Sequence, residues 1–333
     1  MYENKFHTVD LSKKSFLVTG GAGFIGSNLV EYLLKYGAGK VVVLDNLATG
    51  FKENIQQWIA PSTSQWSGRE IEFTEGDICD FDTCIKACKG IDFLFHEAAL
   101  GSVPRSIQNP VATNNVNVSG FVNILTAAKE AKVKRVVYAS SSSVYGDSAT
   151  LPKVENEIGS PLSPYAVSKL TNEFYANIFC KTYGMEIIGL RYFNVFGPRQ
   201  NPKGEYAAAI PLFIDALVKN KSPLINGDGE QTRDFTFVEN AVDANIKAMF
   251  TENEKTIGEV FNVAVAERVS INDLIHLLKK ITGSSANATH KEQRMGDVRD
   301  SLADISKAKK YFNYHPKIKI EDGLKITLEW FRK

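Results

Sequence analysis

Between residue 16 and about residue 200, short runs of apolar, largely β-branched or aromatic residues alternate with longer amphipathic stretches. Phe16-Leu17-Val18, Val41-Val-Val-Leu44, Ile71-Glu-Phe-Thr74, Phe93-Leu-Phe95, Val136-Val-Tyr138 and Met185-Glu-Ile-Ile-Gly-Leu190 read as strands, the last of the parallel set. Helices are predicted over about 24–36, 52–59, 112–131 and from Ser163 onward, the first with an apolar face at Leu29, Leu33 and Leu34. Strands separated by helices in this way form a parallel sheet covered on both faces. Past residue 200 the chain turns loop-rich. A turn covers 225–235, a strand is predicted at Phe261-Asn-Val-Ala264 and a helix from Val269 to Thr282. A charged loop over 294–301 then leads to two short helices.

The first strand is joined to the first helix by Thr19-Gly-Gly-Ala-Gly-Phe-Ile-Gly26. Gly21, Gly23 and Gly26 fit G-x-G-x-x-G, and Gly20, Gly23 and Gly26 fit G-x-x-G-x-x-G. The glycines allow a tight turn, let backbone N–H groups approach a pyrophosphate and permit close helix-to-strand packing. The helix opening at Phe24 and Ile25 aims its positive end at the phosphates. Asp45 ends the second strand about twenty positions on, where a carboxylate holds a ribose 2′-hydroxyl and repels a 2′-phosphate. NAD is therefore expected rather than NADP. The fold class that follows is α/β, a Rossmann-type doubly wound parallel sheet with a smaller α/β C-terminal lobe. The NAD domain is expected over 14–197, with segments near 235–262 returning to it, and the lobe mainly over 198–333.

The 333 residues suffice for such a core, and the net charge of +1 with scattered Lys and Arg gives no footprint for nucleic acid or an acidic membrane. Cys79, Cys84, Cys88 and Cys180 lack paired C-x-x-C or matching His spacing, so no metal site is expected and the thiols are read as reduced and buried. The N-terminus has no secretory apolar core and no run is long enough to cross a bilayer, which makes a cytoplasmic location the expectation.

Candidate chemistry gathers at the strand ends. Gly76-Asp77-Ile78 and Ala98-Ala99 fall where such sheets bind ligands. His96 is given no chemistry. Asn114, Asn115 and Asn117, near the start of a helix, are either ligand contacts or caps. Ser140, Ser141, Ser142 and Ser143 end a buried strand, and their hydroxyls need partners that a polyhydroxylated ligand would supply. Tyr165 and Lys169, four apart, share a helix face.

Taken together, Thr19 to Gly26, Gly76-Asp-Ile78, His96 to Ala99, Ser140 to Gly146, Tyr165-x-x-x-Lys169, Arg191-Tyr-Phe-Asn-Val-Phe-Gly-Pro198 and Arg294-x-Gly-Asp297 resemble the extended short-chain dehydrogenases/reductases, over about 14–330. The likeness is to their nucleoside-diphosphate-sugar 4-epimerases. Ala99 to Ser106 and Leu162 to Lys169 look most like the branch acting on UDP-N-acetylglucosamine and UDP-N-acetylgalactosamine. The resemblance implies C4 epimerisation through a 4-keto sugar, with NAD taking a hydride and returning it to the other face. A phenol has an ordinary pKa of about 10. Lys169 and the nicotinamide charge are expected to lower that of Tyr165, the general acid/base, while Ser141 relays or orients the proton. Dehydratases and decarboxylases of the same group carry an acidic residue just before Val-Tyr-Gly, where this chain has Ser142 and Ser143. Simple reversible oxidation is the chemistry left.

The resemblance also implies the binding residues. Asn46, Gly50, Asn117 and Phe193 would join Gly20, Gly23, Phe24, Ile25, Gly26, Asp45, Asp77, Ile78, Ala98, Ala99, Tyr165 and Lys169 around NAD. Arg233, Arg294 and Arg299 would meet the diphosphate, for which guanidinium forks are suited. Asn194 would contact the diphosphate or sugar, Ile225, Asn226 and Gly227 the uracil, and Asp297 the ribose, with Gly101, Ala208 and Ala209 completing the substrate's surroundings. Ser301 stands at the size gate for a 2-acetamido group, and Ser102 and Ser142 are candidates to bond that group. UDP-glucose/UDP-galactose and UDP-uronic acids are the alternative substrates, and a non-enzymatic NAD-binding protein is the different class. A homodimer is implied, built on the helices near 112–131 and 165–182.

Overall fold

The computed structural model describes residues 1–59, 70–202, 208–292 and 299–332. Its centre is a seven-stranded parallel sheet of β1 (Ser15–Thr19), β2 (Lys40–Asp45), β3 (Glu70–Glu75), β4 (Phe93–His96), β5 (Arg135–Ser141), β6 (Ile187–Tyr192) and β7 (Val260–Val263), ordered β3-β2-β1-β4-β5-β6-β7. Chain order reverses between β1 and β4, which pair from Phe16 opposite Phe93 to Thr19 opposite His96. A crevice at such a reversal, beyond the C-terminal strand ends, is where doubly wound sheets bind ligands.

Apart from the edge strand β3, whose residues are exposed or half-buried, the strands read as largely apolar runs because both faces are covered. Phe16, Val18, Val41, Val43 and Phe95 point to one core, under the helices Phe24–Lys35 and Val238–Phe250. Leu17, Val42, Leu44, Leu94 and Val136 point to the other, under Phe81–Cys88, Gly120–Glu130 and Pro164–Tyr183. A third core joins Phe196, Phe213, Ile225, Phe237, Leu274 and Leu324 in the C-terminal lobe.

Several expected elements differ. β6 is not the edge of the sheet, because Val260–Val263 pairs in parallel beside it. The helix expected over 112–131 is present as Pro110–Asn114, a π turn at Asn115–Ser119 and Gly120–Glu130, and a further short helix, Val103–Gln108, precedes it. Pro104 and Pro110 each occupy a first turn, and Asn109 caps the second piece by accepting from the Ala112 N–H at 3.1 Å. Proline is tolerated there and nowhere further in, so the segment restarts rather than continues. The helix expected from Val269 begins at Ile271, capped by Ser270, while Arg268–Ser270 pairs with Thr232–Asp234. Of the cysteines, Cys84 and Cys88 are buried as expected, while Cys79 is exposed and Cys180 half-buried. No helix among the described residues is long and apolar enough to cross a membrane.

Candidate active site

The glycine turn stands at the β1/β4 reversal and closes one wall of a cleft of about 490 Å³. Gly20 has φ +68°, and a Cβ there would lie 2.7 Å from the Ala98 nitrogen. A Cβ on Gly26 would collide with the Gly20 carbonyl oxygen. Gly23 is the N-cap of the helix beginning at Phe24 and offers no side chain for its free N–H groups. Unfilled donors at a helix N-terminus suit a pyrophosphate. Beside the turn, Asp45 is buried and accepts from the Ala22 N–H at 3.0 Å and the Leu47 N–H at 2.8 Å. Burial raises its pKa against those bonds. Gly20, Gly23, Phe24, Ile25, Gly26, Asp45, Asn46, Asp77, Ile78, Ala98, Ala99, Gly101, Ser141, Tyr165, Lys169 and Asn194 all line this cleft. The cradle and the acidic strand end fit a dinucleotide.

Three expected cofactor residues lie elsewhere. Asn117 is buried in the π turn, where Oδ1 accepts from the Leu100 N–H at 2.8 Å and Nδ2 donates to the Leu100 carbonyl and Ser168 Oγ. Its side chain secures the loop, and Val116 faces the cleft instead. Phe193 is fully buried and lines a neighbouring cavity. Gly50 backs Asp45, since a Cβ there would lie 3.0 Å from both carboxylate oxygens.

Helix Pro164–Tyr183 starts from Ser163, whose Oγ accepts from the Ala166 N–H at 3.1 Å, and it carries Tyr165 and Lys169 to the cleft floor. Lys169 is 3 % exposed, and its ammonium donates to the Ala139 carbonyl at 2.7 Å. Burial pulls its pKa down to about 8, against the upward pull of Glu97 and Glu173. Burial raises the pKa of the Tyr165 phenol, a hydrogen bond with Ser141 opposes that rise and Glu97 adds to it. His96 is a core residue, bonded through Nδ1 to Thr19 Oγ1 at 2.8 Å and held down at about 3 by burial and the Lys169 charge.

Two further cavities adjoin the cleft and share Asn194 with it. One, of about 290 Å³, also shares Ser141 and Tyr165 with the cleft and is lined by Ser102, Ser142, Ser143, Phe193, Arg233 and Ser301. The serine run divides its work, since Ser140 Oγ donates to Glu173 Oε1 at 2.6 Å while Ser143 Oγ bonds Ser141 Oγ at 3.0 Å. The other cavity, of about 240 Å³, is lined by Ala208, Ala209, Asn226 and Arg233. Asn226 Oδ1 is buried there with no hydrogen-bond partner among the described residues. Ile225 is buried in the lobe core, and the Gly227 carbonyl is bonded by His290. Arg299 is mostly exposed and pairs with Asp228 at 3.3 Å. Arg294 and Asp297 lie outside the described residues.

Sequence reasoning passed over Glu97. It lines the cleft, accepts from the Tyr192 hydroxyl at 2.8 Å and is pushed up to about 7 by burial. Its one visible signal was an acidic residue directly after a buried strand.

Residues 16–264 match the NAD dependent epimerase/dehydratase family. UDP-glucose 4-epimerase of Mycolicibacterium smegmatis is 37 % identical over 318 residues, covering 95 % of this chain and 98 % of that one. UDP-N-acetylglucosamine 4-epimerase from Methanobrevibacter ruminantium, solved with UDP-N-acetylmuramic acid, superposes with a TM-score of 0.87 at 38 % identity over 96 % of this chain and 98 % of its own. UDP-glucuronic acid 4-epimerase from Bacillus cereus, solved with UDP-glucuronic acid and NAD, gives 0.86 at 34 % identity over 96 % and 99 %. With the glycine cradle and Asp45 in place, the chain belongs to the NAD dependent epimerase/dehydratase family and is an enzyme whose cofactor is NAD.

Proposed function

We propose that the protein is a UDP-sugar 4-epimerase whose substrates are UDP-N-acetylglucosamine and UDP-N-acetylgalactosamine. The observation that carries this reading is a shared wall, because Ser141, Tyr165 and Asn194 border both the dinucleotide cleft and the serine-lined cavity that contains Ser301. A sugar in the second cavity would have its reacting carbon at that wall. Relatives of this chain act on UDP-glucose, UDP-N-acetylglucosamine and UDP-glucuronic acid, which supports a UDP-sugar at this site. The small Ser301 favours the acetylated pair.

The glycine cradle, Asp45 and Lys169 would hold NAD, which when bound supplies a reversible two-electron oxidant for a secondary alcohol. Tyr165 takes the proton from the sugar 4-hydroxyl onto its phenolate oxygen and later returns it from the same oxygen. Ser141, bonded to that phenol, orients the proton. Lys169, anchored to Ala139, keeps a positive charge in the cleft below its pKa of about 8. Between loss and return of the proton, the 4-keto sugar must present its other face, with the diphosphate held at Arg233 as a pivot. Asn226 would accept from the base, whose uracil N3–H is the donor its Oδ1 lacks.

Incubating the protein with UDP-N-acetylgalactosamine and following the anomeric signals by NMR tests the reading. Formation of UDP-N-acetylglucosamine is expected. No conversion of any UDP-hexose, acetylated or not, would end the proposal, whereas conversion of UDP-glucose or UDP-glucuronic acid with a higher kcat/KM would move it to another sugar.

A further inference from the structure

The cavity containing Ser301 also holds a cation that none of these roles employs. Lys153 lines it and is 4 % exposed. Its ammonium donates to the Ser148 carbonyl oxygen. No Asp or Glu lines the cavity among the described residues, and burial is the influence that lowers the lysine's pKa, with no carboxylate pulling it back. An ammonium has three donors, and a buried charge with donors to spare is costly.

The backbone decides where that charge stands. Lys153 N donates to the Leu302 carbonyl at 2.7 Å, and the Asp304 N–H donates to the Lys153 carbonyl at 2.9 Å, a bridge that pairs Lys153 with Ala303. Lys153 is thus stitched to the stretch directly after Ser301, and both residues line one cavity. The other obligate donor there, Arg233, is tied through Nη1 to the Thr232 and Arg299 carbonyls. The serines can accept as readily as donate and Arg233 is assigned to the diphosphate, so among the described residues Lys153 brings a fixed demand for an acceptor to the Ser301 side.

We propose that Lys153 is a substrate-binding residue that donates to the carbonyl oxygen of the 2-acetamido group for which Ser301 leaves room. The inference rests on the acetylated reading above and deepens it. An amide oxygen is the strongest neutral acceptor such a sugar carries, and it projects further than a 2-hydroxyl. A site built to bond a group discriminates against the ligand that lacks it, since its buried donor is then left unpaired.

The test is calorimetric binding of UDP-N-acetylglucosamine, UDP-glucose, UDP-glucuronic acid and UDP to the NAD-loaded wild type, Lys153→Met and Lys153→Gln, with turnover measured in parallel. Lys153→Met is expected to weaken UDP-N-acetylglucosamine by roughly tenfold or more, the ratio carried by a hydrogen bond to a charged group, while UDP and UDP-glucose change by less than about threefold. Lys153→Gln, which keeps an N–H, should recover part of the loss and serves if the Met variant does not fold. An equal loss for all ligands, no loss, or a loss confined to UDP-glucuronic acid would overturn the assignment. Tight binding of the acetylated sugar without its conversion would defeat the epimerase reading alone and leave Lys153 to be judged by affinity.

Discussion

Glu173 and Arg191 form a buried two-pronged ion pair, with Nε to Oε1 at 2.9 Å and Nη2 to Oε2 at 2.8 Å and both side chains under a tenth exposed. Glu173 lies one turn beyond Lys169, so Tyr165, Lys169 and Glu173 make one stripe on helix Pro164–Tyr183, and the pair fastens that helix to β6. Ser140 Oγ donates to the same carboxylate, and Arg191 also donates to the Glu155 carbonyl at 2.9 Å. Removing one partner of a buried pair strands the other charge, at a cost of about 3–5 kcal/mol. Glu173→Ala is therefore expected to lower the thermal midpoint sharply, as read by calorimetry. A midpoint unchanged within error would mean that the pair does not fasten the helix.

Tyr165→Phe keeps the ring and removes the acid/base group. A positioned proton-transfer residue contributes roughly 10²–10⁴-fold, so kcat should fall by that order while the affinity for UDP stays near wild type. Wild-type turnover in this variant would remove Tyr165 from the acid/base role.

The turn, Asp45 and the Tyr165–Lys169 pair were legible in the sequence because each rests on local constraints. A glycine is required where a Cβ would strike the backbone of the loop that follows β4, and a four-residue spacing puts two side chains on one helix face. The short helix Val103–Gln108 was half legible, since Pro104 in its first turn and Asn109 and Pro110 after it mark a helix that ends and restarts. Asn117 read as a ligand or a cap, and its commitment to Leu100 emerges only once the loop folds back. Glu97, Lys153 and the Glu173–Arg191 pair were illegible for one reason, as each takes its meaning from a partner on a separate element or segment. Tyr192 reaches Glu97 from two strands away, and Leu302 fixes Lys153 from a separate lobe segment.

Glu97 gives the site a pH dependence of definite sign. Its pKa is raised from 4.5 to about 7, so it is largely neutral below that value and charged above it, and when charged it raises both Tyr165 and Lys169. A raised folded pKa also means that its contribution to stability is complete below the unfolded value and is lost as pH climbs through about 7. Glu97→Gln should resemble the wild type in acid, and above about pH 7 it should show the Tyr165-governed limb of kcat/KM moved to lower pH. The Tyr192 hydroxyl can still bond the amide oxygen, which keeps the packing. Superimposable pH–rate profiles would remove Glu97 from the proton chemistry.

The face of helix Pro164–Tyr183 opposite the Tyr165 stripe carries Val167, Phe174 and Ile178, exposed by 51 %, 63 % and 53 %. Their spacing of seven and four places them on one ridge, with exposed Ile107 and Val111 on the short helices packed beside it. An apolar ridge of this kind, left to water, is costly, and a second copy related by a two-fold axis would cover both ridges with the same contacts. A homodimer is the expected state, and measured mass should be twice that of the 36.8 kDa chain. Phe174→Asp with Ile178→Asp would bury two like charges per subunit at the axis and is expected to yield monomers that still bind NAD, because neither residue faces the cleft. A wild-type monomer, or a variant that stays dimeric, would rule this face out as the subunit contact.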